Sequence, residues 1–110
     1  MEMTHADRAV VDIEKLRDYC LSPDHPRGRH KAYVFGVVLG LTGEHSAMLR
    51  AALLTAALSD GAIASERDEY GQRYTVDFPM DGPAGRAMIR SCWIVRCGED
   101  FPRLTSCYVL

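Results

Sequence analysis

Residues 72–97, "QRYTVDFPMDGPAGRAMIRSCWIVRC", decide the fold of this chain. The first part alternates. Tyr74, Val76, Phe78 and Met80 fall on one side, and Arg73, Thr75 and Asp77 on the other. A period of two marks a strand, because successive side chains point to opposite faces. "DGPAG" (81–85) is a turn. Beyond it, Ala87, Ile89, Trp93 and Val95 share a face against Arg86, Arg90 and Arg96. Two alternating runs joined by a short Gly/Pro segment predict an antiparallel hairpin. "GEDFP" (98–102) is the next turn. "RLTSCYVL" (103–110) then sets Leu104, Tyr108 and Leu110 against Arg103, Thr105 and Cys107. Upstream, "AIASERDEYG" (62–71) offers one more short strand.

Before residue 60 the period is helical. Asp12 reads as an N-cap, followed by Ile13, Leu16 and Cys20 on one face. Ser22-Pro23 stops that helix. "RHKAYVFGVVLG" (29–40) predicts a second helix. It is apolar nearly all round after its first turn, so its body is expected to be buried, Tyr33 and Phe35 included, with Gly40 as C-cap. A third helix is expected from Gly43 to Leu58, with Met48, Leu49, Ala52, Leu53 and Ala56 inward. Residues 1–10 read as a loose lead-in. Helices followed by a meander predict an α+β fold in a single domain over 1–110, with the N-terminal helices packed on one face of a C-terminal antiparallel sheet.

Bulk properties narrow the function. The chain has 110 residues, of which 47% are hydrophobic, an ordinary globular composition. No apolar run approaches the ~18 residues of a membrane span. The N-terminus lacks a basic-then-apolar leader, so the expectation is a cytoplasmic protein without a membrane partner. A net charge of -2 argues against a nucleic-acid binder that works by bulk charge alone, but leaves room for a focused cationic site. Cys20, Cys92, Cys97 and Cys107 form no CxxC pair. They are expected to be free thiols, with no metal and no cofactor. A hydrolase using Cys92 or Cys107 as nucleophile would lack a specified His–Asp partner.

The cations are sorted by position. The strand segments hold Arg73, Arg86, Arg90, Arg96 and Arg103 against Asp77 alone, while Glu66, Asp68, Glu69, Asp81, Glu99 and Asp100 lie in the connections. An arginine face with Thr75 and Thr105 among its residues suits an anion. A solvated sheet face is the plain alternative. "PDHPRGRHK" (23–31) adds Arg27, Arg29, His30 and Lys31 at the start of the second helix, where free N–H groups already favour a phosphate.

Several segments, in order, resemble a bacterial family catalogued as a domain of unknown function: "LRDYCLSPDHPRGRHKAYVF", "YGQRYTVDF" and "GRAMIRSCWIVRCGEDFPRLTSCYVL". The most specific elements are "HP-x-G-x-x-KA", "YG-x-RY" and "W-I-V…PRL-T…Y". That family includes the C-terminal toxin domains of polymorphic and contact-dependent inhibition toxins, which are similar to metal-independent RNases of the barnase–EndoU–colicin–RelE fold group. The resemblance implies RNA, either tRNA or rRNA, as substrate and a cognate antitoxin or immunity protein as partner. It points to His30 and Lys31, to Arg73 and Tyr74, and to Arg103, Thr105 and Tyr108. Of these, His30, Lys31, Arg73, Arg103, Thr105 and Tyr108 are the expected catalytic residues, while the cation pattern offers Arg27, Arg29, Arg90 and Thr75 for binding substrate. Toxin members often end "TAYP" where this chain has "SCYVL", which sets Ser106 and Cys107 aside. The reaction would be 2′-OH attack, with His30 as base or acid and the cations on the phosphate. The other class of function is a non-catalytic interaction module, including a homodimer formed through the C-terminal strand edge.

Overall fold

The computed structural model describes residues 1–110. A single 3-10 turn at Ala6–Arg8 precedes three helices and four strands. Helix α1 (13–20) is α-helical at Ile13–Lys15 and widens to a π turn over Leu16–Cys20. Helix α2 (Arg29–Leu39) does the same, widening over Phe35–Leu39. Helix α3 is Ser46–Ala57, entered through a 3-10 turn at Gly43–His45. Strands β1 (Ile63–Asp68), β2 (Gly71–Gly82), β3 (Gly85–Arg96) and β4 (Pro102–Val109) form one antiparallel sheet in the order β1-β2-β3-β4. The fold is α+β, with three N-terminal helices packed against the sheet. No single helix is long and apolar enough to cross a membrane.

Local chemistry sets the helix ends. Asp12 accepts from the Glu14 N–H at 3.0 Å, closing the first turn of α1. Thr42 caps the turn before α3 reciprocally: its hydroxyl accepts from the Glu44 N–H, and the His45 ring accepts the Thr42 N–H. Gly40 ends α2 at φ 72°, a left-handed position that glycine takes without strain.

The helices bury one stripe each onto the sheet. Leu16, Cys20, Phe35, Leu39, Leu49 and Leu53 pack against Val76, Ile89, Trp93 and Leu104. Each buried large side chain contributes about 1.5–3 kcal/mol. Trp93 is fully enclosed, and its indole N–H donates to the Ser91 hydroxyl at 2.8 Å, which donates to the Val76 carbonyl at 2.7 Å. No polar atom of that group is left unpaired.

Three expectations are corrected. The body of α2 is not enclosed all round. Tyr33 is 68% exposed and Val37 61%, because Ala32, Phe35 and Leu39 take the sheet-facing side and no layer covers the other. Met48 likewise turns outward on α3. Residues 1–10 are not a loose lead-in. Met3 and Ala6 enter the core, and Val10 pairs with Arg103 along the outer edge of β4. Val10 thus occupies part of the C-terminal strand edge that a homodimer would need.

Candidate functional site

The segment at 23–31 is built before it is charged. The His25 ring nitrogen accepts the N–H groups of Arg27 and Gly28, each at 3.1 Å, and so folds the loop. A Cβ at Gly28 would lie 2.2 Å from the Tyr19 carbonyl oxygen, so only glycine lets the loop close onto α1. Ala32 is buried against the core. The "HP-x-G-x-x-KA" pattern is therefore mostly architecture, and the one side chain it delivers elsewhere is Lys31. "YG-x-RY" behaves alike. A Cβ at Gly71, at φ 148°, would meet the Val95 carbonyl at 2.1 Å, and Tyr74 packs against the core.

On the face away from the helices, residues line up in rows across the sheet. Arg73, Ile94 and Arg103 form one row. Thr75, Cys92 and Ser106 form the next, and Asp77, Arg90 and Tyr108 the third. Trp93 and Arg90 are on opposite faces, as alternation requires. The order in β4 differs from expectation. Cys92 pairs with Ser106 but Trp93 pairs with Leu104, so Thr105 is the extra residue of a bulge. The bulge reverses parity downstream. Cys107 turns into the core and Tyr108 turns out, contrary to the alternation read from "RLTSCYVL".

The second and third rows meet α2 at their β4 residues. The Lys31 amine donates to the Ser106 hydroxyl at 3.4 Å and lies 5.0 Å from the Tyr108 ring centre. Arg90 flanks Tyr108 from the neighbouring strand. It donates through Nε and Nη2 to Asp77 at 2.9 and 2.8 Å, and Asp77 first, then the Tyr108 phenol, holds the guanidinium in its charged form. Lys31, Ser106, Tyr108, Arg90 and Thr75 are thus brought to one patch of the open face.

The remaining residues take other places. Arg73 and Arg103 share a row, two residues or about 7 Å farther along the strands. Thr105 spends its hydroxyl on the Cys92 carbonyl at 3.0 Å. His30, Arg27 and Arg29 are exposed at the start of α2. Ser106, set aside on sequence grounds, contacts Lys31 directly; no feature of an alternating strand announces the bulge that turns it outward.

The charge count is also corrected. The sheet arginines do not face a lone acid. Asp68 and Asp81, expected in connections, lie at the end of β1 and near the end of β2. With Glu99 of the β3–β4 turn they seat on arginines: Asp68 on Arg73 at 2.8 Å, Asp81 on Arg86 at 3.3 Å and Glu99 on Arg103 at 2.9 Å. Each pairing lowers the pKa of Asp68 and Glu99 below the usual carboxylate range. Lys31 has no such partner. Cys107 and Cys92 are poor nucleophiles here, because the Cys20 contact and then burial push Cys107 up and burial pushes Cys92 up, while Cys20, lowered by its hydrogen bond with Cys107, is fully enclosed in the core. No three His, Cys, Asp or Glu side chains are grouped to hold a metal ion.

A family model described as a domain of unknown function, DUF6883, matches residues 2–110. This chain belongs to the DUF6883 family. Among curated proteins none matches it. The DUF6883 chain shares its fold with a chain of the contact-dependent growth inhibition toxin–immunity protein complex from Klebsiella pneumoniae 342. The TM-score is 0.65, the identity 17%, and the match covers 94% of this chain and 95% of that one. At that identity the likeness is one of fold.

Proposed function

We propose that this DUF6883 chain is a toxin-like endoribonuclease that cleaves RNA without a metal, through attack of the 2′-OH on the adjacent phosphate. One observation carries the reading. Lys31 is a cation without a carboxylate partner, aimed at Ser106 and Tyr108 beside the Arg90 guanidinium. A phosphate entering there would receive an ammonium, a guanidinium and two hydroxyls. Charge developing on a phosphorane oxygen is stabilised by such fixed donors. His30, next to Lys31 on the first turn of α2, is the proposed base or acid, because an imidazole ring nitrogen can accept or give a proton. Arg27 and Arg29 would hold flanking phosphates, and Arg73 and Arg103 the next one along the strands, once released from their carboxylates. The need for a 2′-OH confines the reaction to RNA. The proposed setting is the bacterial cytoplasm, where a cognate immunity-type protein would restrain the enzyme. That part rests on the fold shared with a toxin–immunity complex chain.

The test is incubation of the purified protein with total RNA in EDTA, beside Lys31→Ala and His30→Ala. Fragments ending in 2′,3′-cyclic phosphate with wild type, and none with Lys31→Ala, support the reading. Intact RNA after prolonged exposure to folded wild type defeats it. The second reading is a non-catalytic interaction module, favoured by the carboxylates already seated on Arg73, Arg86, Arg90 and Arg103.

A further inference from the structure

The sheet has one stretch of edge with no strand beside it. β2 extends to Gly82, but β1 pairs with it only as far as Thr75. The direction of the main-chain groups along 77–81 follows from two contacts. Leu110 N–H donates to the Met88 carbonyl at 2.9 Å, so the main chain of Met88 faces β4. Pro79 is opposite Met88. In such a pair both residues point their N–H and C=O away from each other, so Pro79 faces outward, as a proline with no N–H to give must. By alternation, Asp77 and Asp81 point their N–H and C=O outward too. Beside this edge is a groove of about 580 Å³, floored by Ala51, Thr55 and Ser59 and walled by Phe78 and Pro79. Ala51 and Thr55, four apart on α3, and Ser59 just past its end are exposed, so α3 and the turn after it present small side chains alongside the bare edge.

We propose that this slot receives one extended strand of a partner protein, hydrogen-bonded to the main chain of Asp77, Pro79 and Asp81, with its inner side chains on α3. The slot holds five residues, roughly 16 Å of strand. Ile63 opposite Thr75 bounds one end, and Gly82, packed on the Leu39 carbonyl, bounds the other. Charge defines the occupant. On the open face this stretch of β2 shows Asp77 and Asp81, which hold Arg90 and Arg86 of β3 on their inner side while their side chains stay 34% and 74% exposed, so an added basic strand would extend each pair into an Arg–Asp–cation row. An added strand brings its own side chains about 5 Å from these. It therefore carries Lys or Arg at two positions four apart, with small apolar residues between them facing α3. A second copy of this chain does not fit. Two-fold pairing about Pro79 would set Asp77 of one copy against Asp81 of the other and oppose two prolines that have no N–H to exchange.

The test uses the full chain labelled with nitrogen-15 and the peptide acetyl-Lys-Val-Thr-Val-Lys-amide. Its lysines match Asp77 and Asp81, its threonine matches Pro79, and its valines face α3. The expected result is amide shifts confined to 77–81 and 51–59 and slowed exchange of the Asp77 and Asp81 amides. Methylating the peptide nitrogens of both Lys and of Thr removes the three inward N–H groups and should weaken binding tenfold or more, at about 1 kcal/mol per bond. Methylating the two Val nitrogens, which point outward, should not. Thr55→Trp should fill the groove and abolish the shifts while the fold holds by circular dichroism. No shift at millimolar peptide, shifts elsewhere, or equal binding of the two methylated peptides overturns the proposal. Neither peptide nor readout involves Lys31 or RNA, so the nuclease reading stands or falls separately.

Discussion

Lys31 is held by one hydroxyl at 3.4 Å and one aromatic ring, neither of which offsets its charge. Such contacts contribute little to stability, so the residue is free to be judged on chemistry. Lys31→Ala should keep its melting temperature and lose about 100- to 1000-fold in RNA cleavage rate, the ~3–4 kcal/mol expected for one cation on a transition-state phosphate. Arg103→Ala should lose less, because Glu99 already occupies its guanidinium through two bonds of 2.9 Å; single-turnover cleavage rates of the two variants make the comparison. Trp93→Ala acts on folding instead. It opens a cavity and strips the Ser91 hydroxyl of its indole partner, and should cost about 3–5 kcal/mol by denaturant unfolding.

At the scale of elements, the β4 bulge decides which residues the site contains. Pairing Thr105 in plain register would send Tyr108 inward and Cys107 outward, whereas deleting Thr105 leaves Leu104 opposite Trp93 and Ser106 opposite Cys92, with Cys107 inward and Tyr108 outward. The expected outcome of the deletion is a Cys107 that stays as shielded from a thiol reagent in the native protein as wild-type Cys107 is. The loop before α2 is the second such element. Gly28→Ala forces a Cβ against the Tyr19 carbonyl, so α1 and α2 must separate, and both thermal stability and Lys31 placement should suffer. The helices themselves were legible because caps and the 3.6 period act locally: Asp12, Thr42 and Gly40 end up where their side chains or backbone freedom demand. The outer side of α2 was not. Tyr33 and Val37 have core chemistry, and only the finished packing shows that nothing covers them.

For the whole molecule, the pattern of ion pairs sets an acid limit. Asp18, Asp68, Asp77 and Glu99 all have pKa values lowered by hydrogen bonds from arginines, so each binds its proton less readily folded than unfolded. Their contribution is fully present above the ordinary carboxylate range near pH 4 and is lost as pH falls through the lower folded values. Melting temperature should be flat in this respect from pH 8 to pH 5 and drop below pH 4, less steeply in Asp77→Asn. The sequence by itself determined what depends on near neighbours: two periods, the turns, the caps, and hence helices before an antiparallel meander. Only the tertiary structure decided what depends on distant pairing. It set Asp77 on Arg90 across the hairpin, turned Tyr108 outward through a bulge that is defined only against β3, and brought Lys31 to Ser106 across 75 residues of chain. Those contacts follow from strand register and layer packing, which no stretch of sequence carries alone.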